Sequence, residues 1–404
     1  MADFTNSILQ VLEGNRWIGI TALGVALVAT PIVRWVAYRK QIVDRPDALL
    51  KPHGRPMAYL GGLAICAGLL AGLAVYVAVM PDLRASWNDI RQAAARGDIE
   101  RLHNNSLLKI LSIAVAAVWI TLVGLLDDVH NLKPRQKIVG QALAAAILLA
   151  GGVGSGLDDV FFGPFGIALP FWAALPFQGL TLFVAMIVAC NATNLLDGLD
   201  GLCGGVTGII AVGYLALAVW LASFGRPYDV DNLRVGLCLA MAGAVLGFLP
   251  YNVPPASIFM GDAGSMLLGF FVATMLALFA CEGTARWLLA ACAIYALPIL
   301  DTALAVVRRA LAGKSIFAGD RSHLYDQLVD RGMTVKQVVA LFYVLAVVAA
   351  VVGVAVAMTL KFRYAVILYA GLLVIIWTIF VGLGMVTPPP KQDGTGPGQG
   401  GADE

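Results

Sequence analysis

The chain has 404 residues, with 27 basic and 25 acidic side chains and a formal net charge of +2. Only 13% of residues are charged and 60% are apolar, with a mean hydropathy of +0.84, whereas soluble domains carry roughly 25% charged residues. These values exclude a single soluble domain, a disordered chain and, for want of a polycationic surface, a nucleic-acid binder.

A helix crossing the hydrocarbon needs about 20 apolar residues, and about eleven segments meet that length: 17–37, 57–80, 107–126, 136–153, 177–196, 201–222, 235–251, 265–281, 285–307, 335–358 and 363–385. None alternates with a period of two, so a barrel is excluded and the backbone must close its hydrogen bonds in helices. The expected fold is all-α, a polytopic membrane protein of about 10–11 transmembrane helices in one domain over residues 1–386. Asp3 and Glu13 precede the first segment and no small-residue cleavage site closes it, so it reads as a retained span rather than a signal peptide. Between the second and third segments, Leu83, Trp87, Ile90 and Ala94 recur at helical spacing among charges. That suits an interfacial helix or a solvated loop helix. The tail 387–404, opened by Pro388, Pro389 and Pro390 and rich in glycine, lacks the composition for a core and is expected to be disordered. The six cysteines lie in or beside apolar runs without CxxC spacing and read as small buried hydrophobes.

Basic residues in short loops set the orientation. They gather after the first segment (Arg39, Lys40, Arg45, Lys51, Arg55), the third (Lys133, Arg135, Lys137) and the ninth (Arg308, Arg309, Lys314, Arg321, Arg331, Lys336). With eleven spans these loops share the cytoplasmic face with the C-terminus, and the N-terminus lies outside.

The acids then converge. Asp127 and Asp128 end the third segment in GLLDDVHNLKP, Asp197 and Asp200 end the fifth in NATNLLDGLDGL, Asp262 precedes the eighth in FMGDAGS, and Asp320 lies with Arg321 and His323 in GDRSHL. Carboxylates at a lipid boundary are costly unless paired or functional. Their gathering on one face points to a site rather than to ordinary solvated helix ends. Asn191, Asn194, Asp197 and Asp200 recur every three residues, near one helical face. Carboxylates beside amide oxygens form a hard-oxygen set suited to Mg²⁺, and Gly198, Gly201, Gly261 and Gly264 let the chain turn and approach a ligand. The four histidines are scattered without zinc spacing. The pattern reads as an Mg²⁺-dependent phosphoryl-group transferase, with Lys137, Arg55, Arg321 and His323 supplying donors for a nucleotide diphosphate. The rival reading, a transporter, would place acids at mid-membrane depth. It lacks an internal repeat and a GxxxxGK[ST] loop.

Five stretches, GRPMAYLGG (54–62), LLDDVHNLKPRQKIVGQ (125–141), NATNLLDGLDGL (191–202), FMGDAGSMLLG (259–269) and PILDTALAVVRRALAGKSIFAGDRSHL (298–324), occur in this order. Through them the chain resembles the polyprenyl-phosphate N-acetylhexosamine-1-phosphate transferase family, over residues from about 30 to 335. The resemblance implies attack of a polyprenyl phosphate on the β-phosphate of a UDP-sugar, with release of UMP, at the cytoplasmic face of the bacterial inner membrane. It implies Mg²⁺, or Mn²⁺ in its place, held by Asn194 and Asp262. It makes Asp127 and Asp128 the acidic pair near the lipid phosphate and Asp197 a further essential acid. Asn191, Asp200 and Phe259 become substrate contacts, the latter two at the uridine, and Lys137, Arg321 and His323 the cationic set around the diphosphate. The implied partners are a UDP-N-acetylhexosamine, undecaprenyl phosphate, the lipid bilayer and a second copy in a homodimer, with no nucleic acid.

One departure stands out. WecA-like members continue the His323 loop as HLHH or HIHH, whereas this chain reads His323-Leu324-Tyr325-Asp326, which bears on the identity of the sugar. The DRSHL lead-in and the lack of a PIHHHFE stretch argue against the alternative branch, the phospho-MurNAc-pentapeptide transferases of peptidoglycan synthesis. The expected product initiates a cell-surface glycan.

Overall fold

The computed structural model describes residues 2–44 (side chains from residue 8), 56–79, 83–224, 231–281, 284–313 and 323–386. Arg45, Lys51, Arg55, Lys314, Asp320, Arg321 and the tail 387–404 lie outside the described residues. A long helix α1 (Ala2–Lys40) leads to a two-residue antiparallel ribbon, β1 (Val43–Asp44) against β2 (Met57–Ala58). Then follow α2 (Gly61–Val79), α3 (Leu83–Arg96), α4 (Ile99–Asn104), α5 (Ser106–His130), α6 (Pro134–Ala150) and α7 (Leu157–Phe162). The second half holds α8 (Phe171–Leu195), α9 (Leu202–Phe224), α10 (Asp231–Asn252), α11 (Gly261–Ala280), α12 (Ala285–Ile294), α13 (Ala296–Leu311), α14 (Leu324–Asp330), α15 (Val335–Thr359) and α16 (Phe362–Gly382).

Among the described residues, nine helices are long and apolar enough to cross a membrane. The other two expected segments also fall on helices. Segment 136–153 becomes α6, of 17 residues, and 285–307 becomes the pair α12–α13, bent by 69°. Pro298 explains the break: it has no N–H to give the carbonyl of Ile294, so one straight helix would lose a hydrogen bond there. Segment 82–103 forms two helices rather than one. Gly97, at φ +66°, ends α3, and Asp98 caps α4 by accepting the N–H of Arg101 at 3.0 Å. Asn105 then caps α5, accepting the N–H groups of Leu107 and Leu108.

Burial grades across the bundle. The apolar window of α11 is 94% buried and that of α16 only 6%, so α11 is the central post and α16 faces lipid at the edge. Small residues let neighbours close on the first turn of α11. A Cβ at Gly124 of α5 would lie 2.4 Å from the Asp262 carbonyl oxygen, and one at Gly62 of α2 would lie 2.2 Å from the Gly264 nitrogen. Three helices thus meet where the carboxylates are.

Candidate active site

At that end of the bundle a cavity of about 570 Å³ opens between the segment before α2, the end of α5, the turn between α8 and α9, and the start of α11. Backbone hydrogen bonds tie its floor together. Phe259 N–H donates to Ala58 O at 2.8 Å, Gly61 N–H to Phe259 O at 3.0 Å, and Gly62 N–H to Met260 O at 2.9 Å. Gly261 has φ +69°, and a Cβ there would lie 2.6 Å from Asp128 Oδ2, so both backbone and space require glycine.

The adjacent acids of α5 do different things. Asp128 accepts the N–H of Asp262 on Oδ1 at 2.8 Å and that of Ala263 on Oδ2 at 3.1 Å. Met260, at the N-cap of α11, makes no side-chain cap bond, so a residue of α5 satisfies the orphan donors. Asp127 is turned to the cavity. Its Oδ1 accepts Leu132 N–H at 2.8 Å, and Oδ2 pairs with the Lys137 ammonium. Lys137 Nζ also lies 2.8 Å from Asp262 Oδ2. Asp262 Oδ1 accepts from Asn194 Nδ2 at 2.9 Å, and the same amide reaches Ser265 Oγ at 2.9 Å. Asp127, Lys137, Asp262 and Asn194, drawn from four helices, therefore form one polar chain.

Asp197 stands in the turn after α8, half-buried at the cavity wall. Its carboxyl is pushed up to about 8, first by removal from water and then by the charges of Asp262 and Asp200. Asp200 lines the cavity and accepts Ala256 N–H at 2.9 Å. Asn252, buried beside it, accepts Gly201 N–H at 3.1 Å and donates to Ile258 O at 3.0 Å. Together they clip the turn to the segment that carries Phe259, which also lines the cavity. Tyr59 donates its hydroxyl proton to the Asp128 carbonyl at 2.7 Å. Burial and the nearby Asp128, Asp44 and Asp262 raise its pKa.

The structure separates the other expected site residues from this group. Asn191 does not line the cavity; it donates to Ile187 O at 2.7 Å and meets Gln141 Oε1 at 3.4 Å, one helical turn along α8 from Asn194. His323 is buried, with Nδ1 2.9 Å from Asp301 Oδ2 and Nε2 3.4 Å from Arg309 Nη2. Arg321 lies outside the described residues. Sequence reasoning missed Asp44, Tyr59 and Asn252, which line the cavity, and the buried Asp301. Three of them left a signal, since Tyr59 sits inside GRPMAYLGG and Asn252 and Asp301 are polar residues at or within apolar runs.

Among the described residues, the cavity wall carries Asp44, Asp127, Asp128, Asp197, Asp200 and Asp262 against one basic side chain, Lys137. That excess of acid favours bound cations. No three of the described His, Cys, Asp or Glu side chains close into a metal cage, and the oxygen donors stand at helix ends rather than at mid-span, against the transporter geometry.

The profile of glycosyl transferase family 4 matches residues 110–280. The chain is 31% identical to the decaprenyl-phosphate N-acetylglucosaminephosphotransferase of Mycobacterium leprae, over 85% of this chain and 86% of that one. It is 32% identical to the probable undecaprenyl-phosphate N-acetylglucosaminyl 1-phosphate transferase of Bacillus subtilis, over 81% and 80%. It is 34% identical to the phospho-N-acetylmuramoyl-pentapeptide-transferase of Shouchella clausii, over 61% and 74%. With these similarities spanning the same helices that build the acidic cavity, the chain belongs to glycosyl transferase family 4, as a membrane-embedded polyprenyl-phosphate sugar-1-phosphate transferase.

Proposed function

We propose that this enzyme transfers an N-acetylhexosamine 1-phosphate, GlcNAc-1-phosphate in the first instance, from UDP to undecaprenyl phosphate with Mg²⁺ at the cytoplasmic membrane face, as the first step of a cell-surface glycan. The observation that carries this reading is the convergence of Asp127, Asp262 and Lys137 on one open cavity, with Asn194 hydrogen-bonded to Asp262 behind its wall. Two of the relatives carry N-acetylglucosamine in their names.

The donor set fits a divalent cation. The Lys137 ammonium bridges Asp127 and Asp262, marking a point where positive charge is wanted, and the atoms around it are hard oxygens without sulfur or imidazole. Asp262 would hold the ion, joined by Asn194 once its amide turns its oxygen rather than its nitrogen toward Asp262, with phosphate and water completing the shell. When bound, it supplies neutralising charge to the diphosphate and to the departing UMP.

The protein's own groups do the rest. An oxygen of the lipid phosphate bonds to the β-phosphorus, the bond from that phosphorus to the bridging oxygen breaks, and UMP leaves with the bridging oxygen. Lys137 binds a diphosphate oxygen and counters the charge that develops on it. A phosphate monoester has a second pKa of about 6, so most of the acceptor is already a dianion at neutral pH. Asp127 takes the residual proton from the monoanion. Asp128 holds the α11 backbone that carries Asp262. The Phe259 ring offers a face for the uracil, and Asp200 keeps the neighbouring turn in place.

Detergent-solubilised protein, UDP-GlcNAc, undecaprenyl phosphate and Mg²⁺ test the reading. UMP release that disappears in Asp262→Ala is expected; no release with any UDP-N-acetylhexosamine overturns it. The similarity to a pentapeptide transferase favours a second reading, so UDP-MurNAc-pentapeptide belongs in the same panel. Turnover of that substrate overturns the branch assignment.

A further inference from the structure

Beside the cavity lies a buried cluster with no part in the steps above. Asp301 of α13, 1% exposed, accepts on Oδ1 the N–H of Leu324, the first residue of α14, at 2.6 Å, and its Oδ2 lies 2.9 Å from His323 Nδ1. The His323 ring stacks on Tyr325, with centroids 5.4 Å apart and planes 7° from parallel. Tyr325 donates its hydroxyl proton to Leu195 O, at the end of α8, at 3.1 Å. Its ring fills the space over Gly198, where a Cβ would lie 2.2 Å from the hydroxyl oxygen and 2.4 Å from Cζ. Gly198 must therefore be small on the side that Tyr325 covers, while the residue itself lines the cavity.

Each contact removes a freedom. Asp301 holds the start of α14 through the Leu324 amide and, by accepting from Nδ1–H, selects one tautomer of His323. That leaves Nε2 as an acceptor toward Arg309 Nη2, 3.4 Å away. The held imidazole offers a flat face to Tyr325, and Tyr325 pins the turn Leu195–Gly201, which carries Asp197 and Asp200. The path runs from the bent helix pair to the acid-bearing wall of the cavity.

We infer that Asp301, His323 and Tyr325 form a strut of positioning residues that sets the Asp197–Asp200 turn for the nucleotide-sugar. None of the three touches substrate in this assignment. Asp301 acts through His323, and Tyr325 acts through the Leu195 carbonyl and Gly198.

The kinetic arm of the test rests on the transferase reading; the spectroscopic arm does not. In histidine ¹⁵N-labelled protein, the signal lost in His323→Gln identifies His323. Wild type is expected to show it protonated on Nδ1, and Asp301→Asn to lose that preference. In the UMP-release assay, Tyr325→Phe is expected to raise KM for the UDP-sugar about 3- to 10-fold, with kcat and KM for the lipid phosphate changing less than 2-fold. Asp301→Asn combined with Tyr325→Phe should be no worse than the more damaging single change, because both act on one path. Gly198→Ala is expected to lose activity and to regain part of it with Tyr325→Ala. An unchanged His323 tautomer in Asp301→Asn, additive single effects, or a fall in kcat alone would overturn the inference. If wild type turns over no UDP-sugar, the transferase reading fails by itself, and the tautomer measurement still decides the strut.

Discussion

Asp128 and Asp262 are joined through the backbone: the carboxylate of the first accepts the amide of the second at 2.8 Å across 134 residues of sequence, and the next amide, Ala263, at 3.1 Å. A capping carboxylate contributes about 1–2 kcal/mol. Asp128→Ala is therefore expected to lower the unfolding free energy by roughly that amount and to reduce turnover by misplacing Asp262. Asp127→Ala should cost turnover with a smaller stability change, since its partners Leu132 N–H and Lys137 lie at the cavity edge. Thermal unfolding in detergent, run beside the UMP assay, separates the two. Equal stability losses would contradict the division of labour.

Lys137 neutralises two carboxylates at once. With Lys137→Met, Asp127 and Asp262 face each other without a cation. In EDTA this variant should unfold at a lower temperature than wild type, and Mg²⁺ should raise its midpoint by more than it raises that of wild type. Turnover should fall about 100-fold, the scale of losing one charge-stabilising donor. An Mg²⁺ response equal to that of wild type would count against the bridge.

Asp197 gives the site a pH signature. Its carboxyl is pushed up to about 8, above the roughly 3.9 of an unfolded aspartate. Between these values the folded chain holds a proton that the unfolded chain has released, so this group's contribution to stability falls as pH rises and levels off above about 8. A divalent cation near Asp197 favours its ionised form, so cation affinity should rise from pH 6 to pH 8.5 with proton release. Calorimetric titration of Mg²⁺ in buffers of different ionisation enthalpy measures that release, and Asp197→Asn should reduce it; an unchanged release in this variant would count against Asp197 as its source.

Orientation is testable by labelling. Lys133 is exposed at the cavity end of the bundle and Phe165, 78% exposed, lies beyond the far end of α6. In a background without reactive native cysteines, Lys133→Cys should react with an impermeant thiol reagent only from the cytoplasmic side, and Phe165→Cys only from outside. The reverse result would place the cavity on the wrong face for a cytosolic nucleotide-sugar.

The membrane class and the helical segments were legible in the chain itself, because a run of about 20 apolar residues has few other stable conformations in lipid. The grouping of Asp127, Asp197 and Asp262 followed from counting spans, and the structure gathers them at one end. The split between Asp127 and Asp128 was decided only in three dimensions. Neighbours on a helix point about 100° apart, so one meets Lys137 and the other meets α11, and neither partner is visible from the local sequence. Asn191 and Asn194 share a motif and nearly a face, yet one turn of rise takes Asn191 to Gln141 and leaves Asn194 on Asp262. His323 read as a cation for the diphosphate; a buried aspartate from a bent helix encloses it instead. Composition and periodicity specify which segments enter the membrane and where they end, since those depend on each segment's own transfer from water. Which carboxylate caps, which pairs and which stays open depends on contacts between helices that are distant in sequence, and these arise only once the bundle has packed.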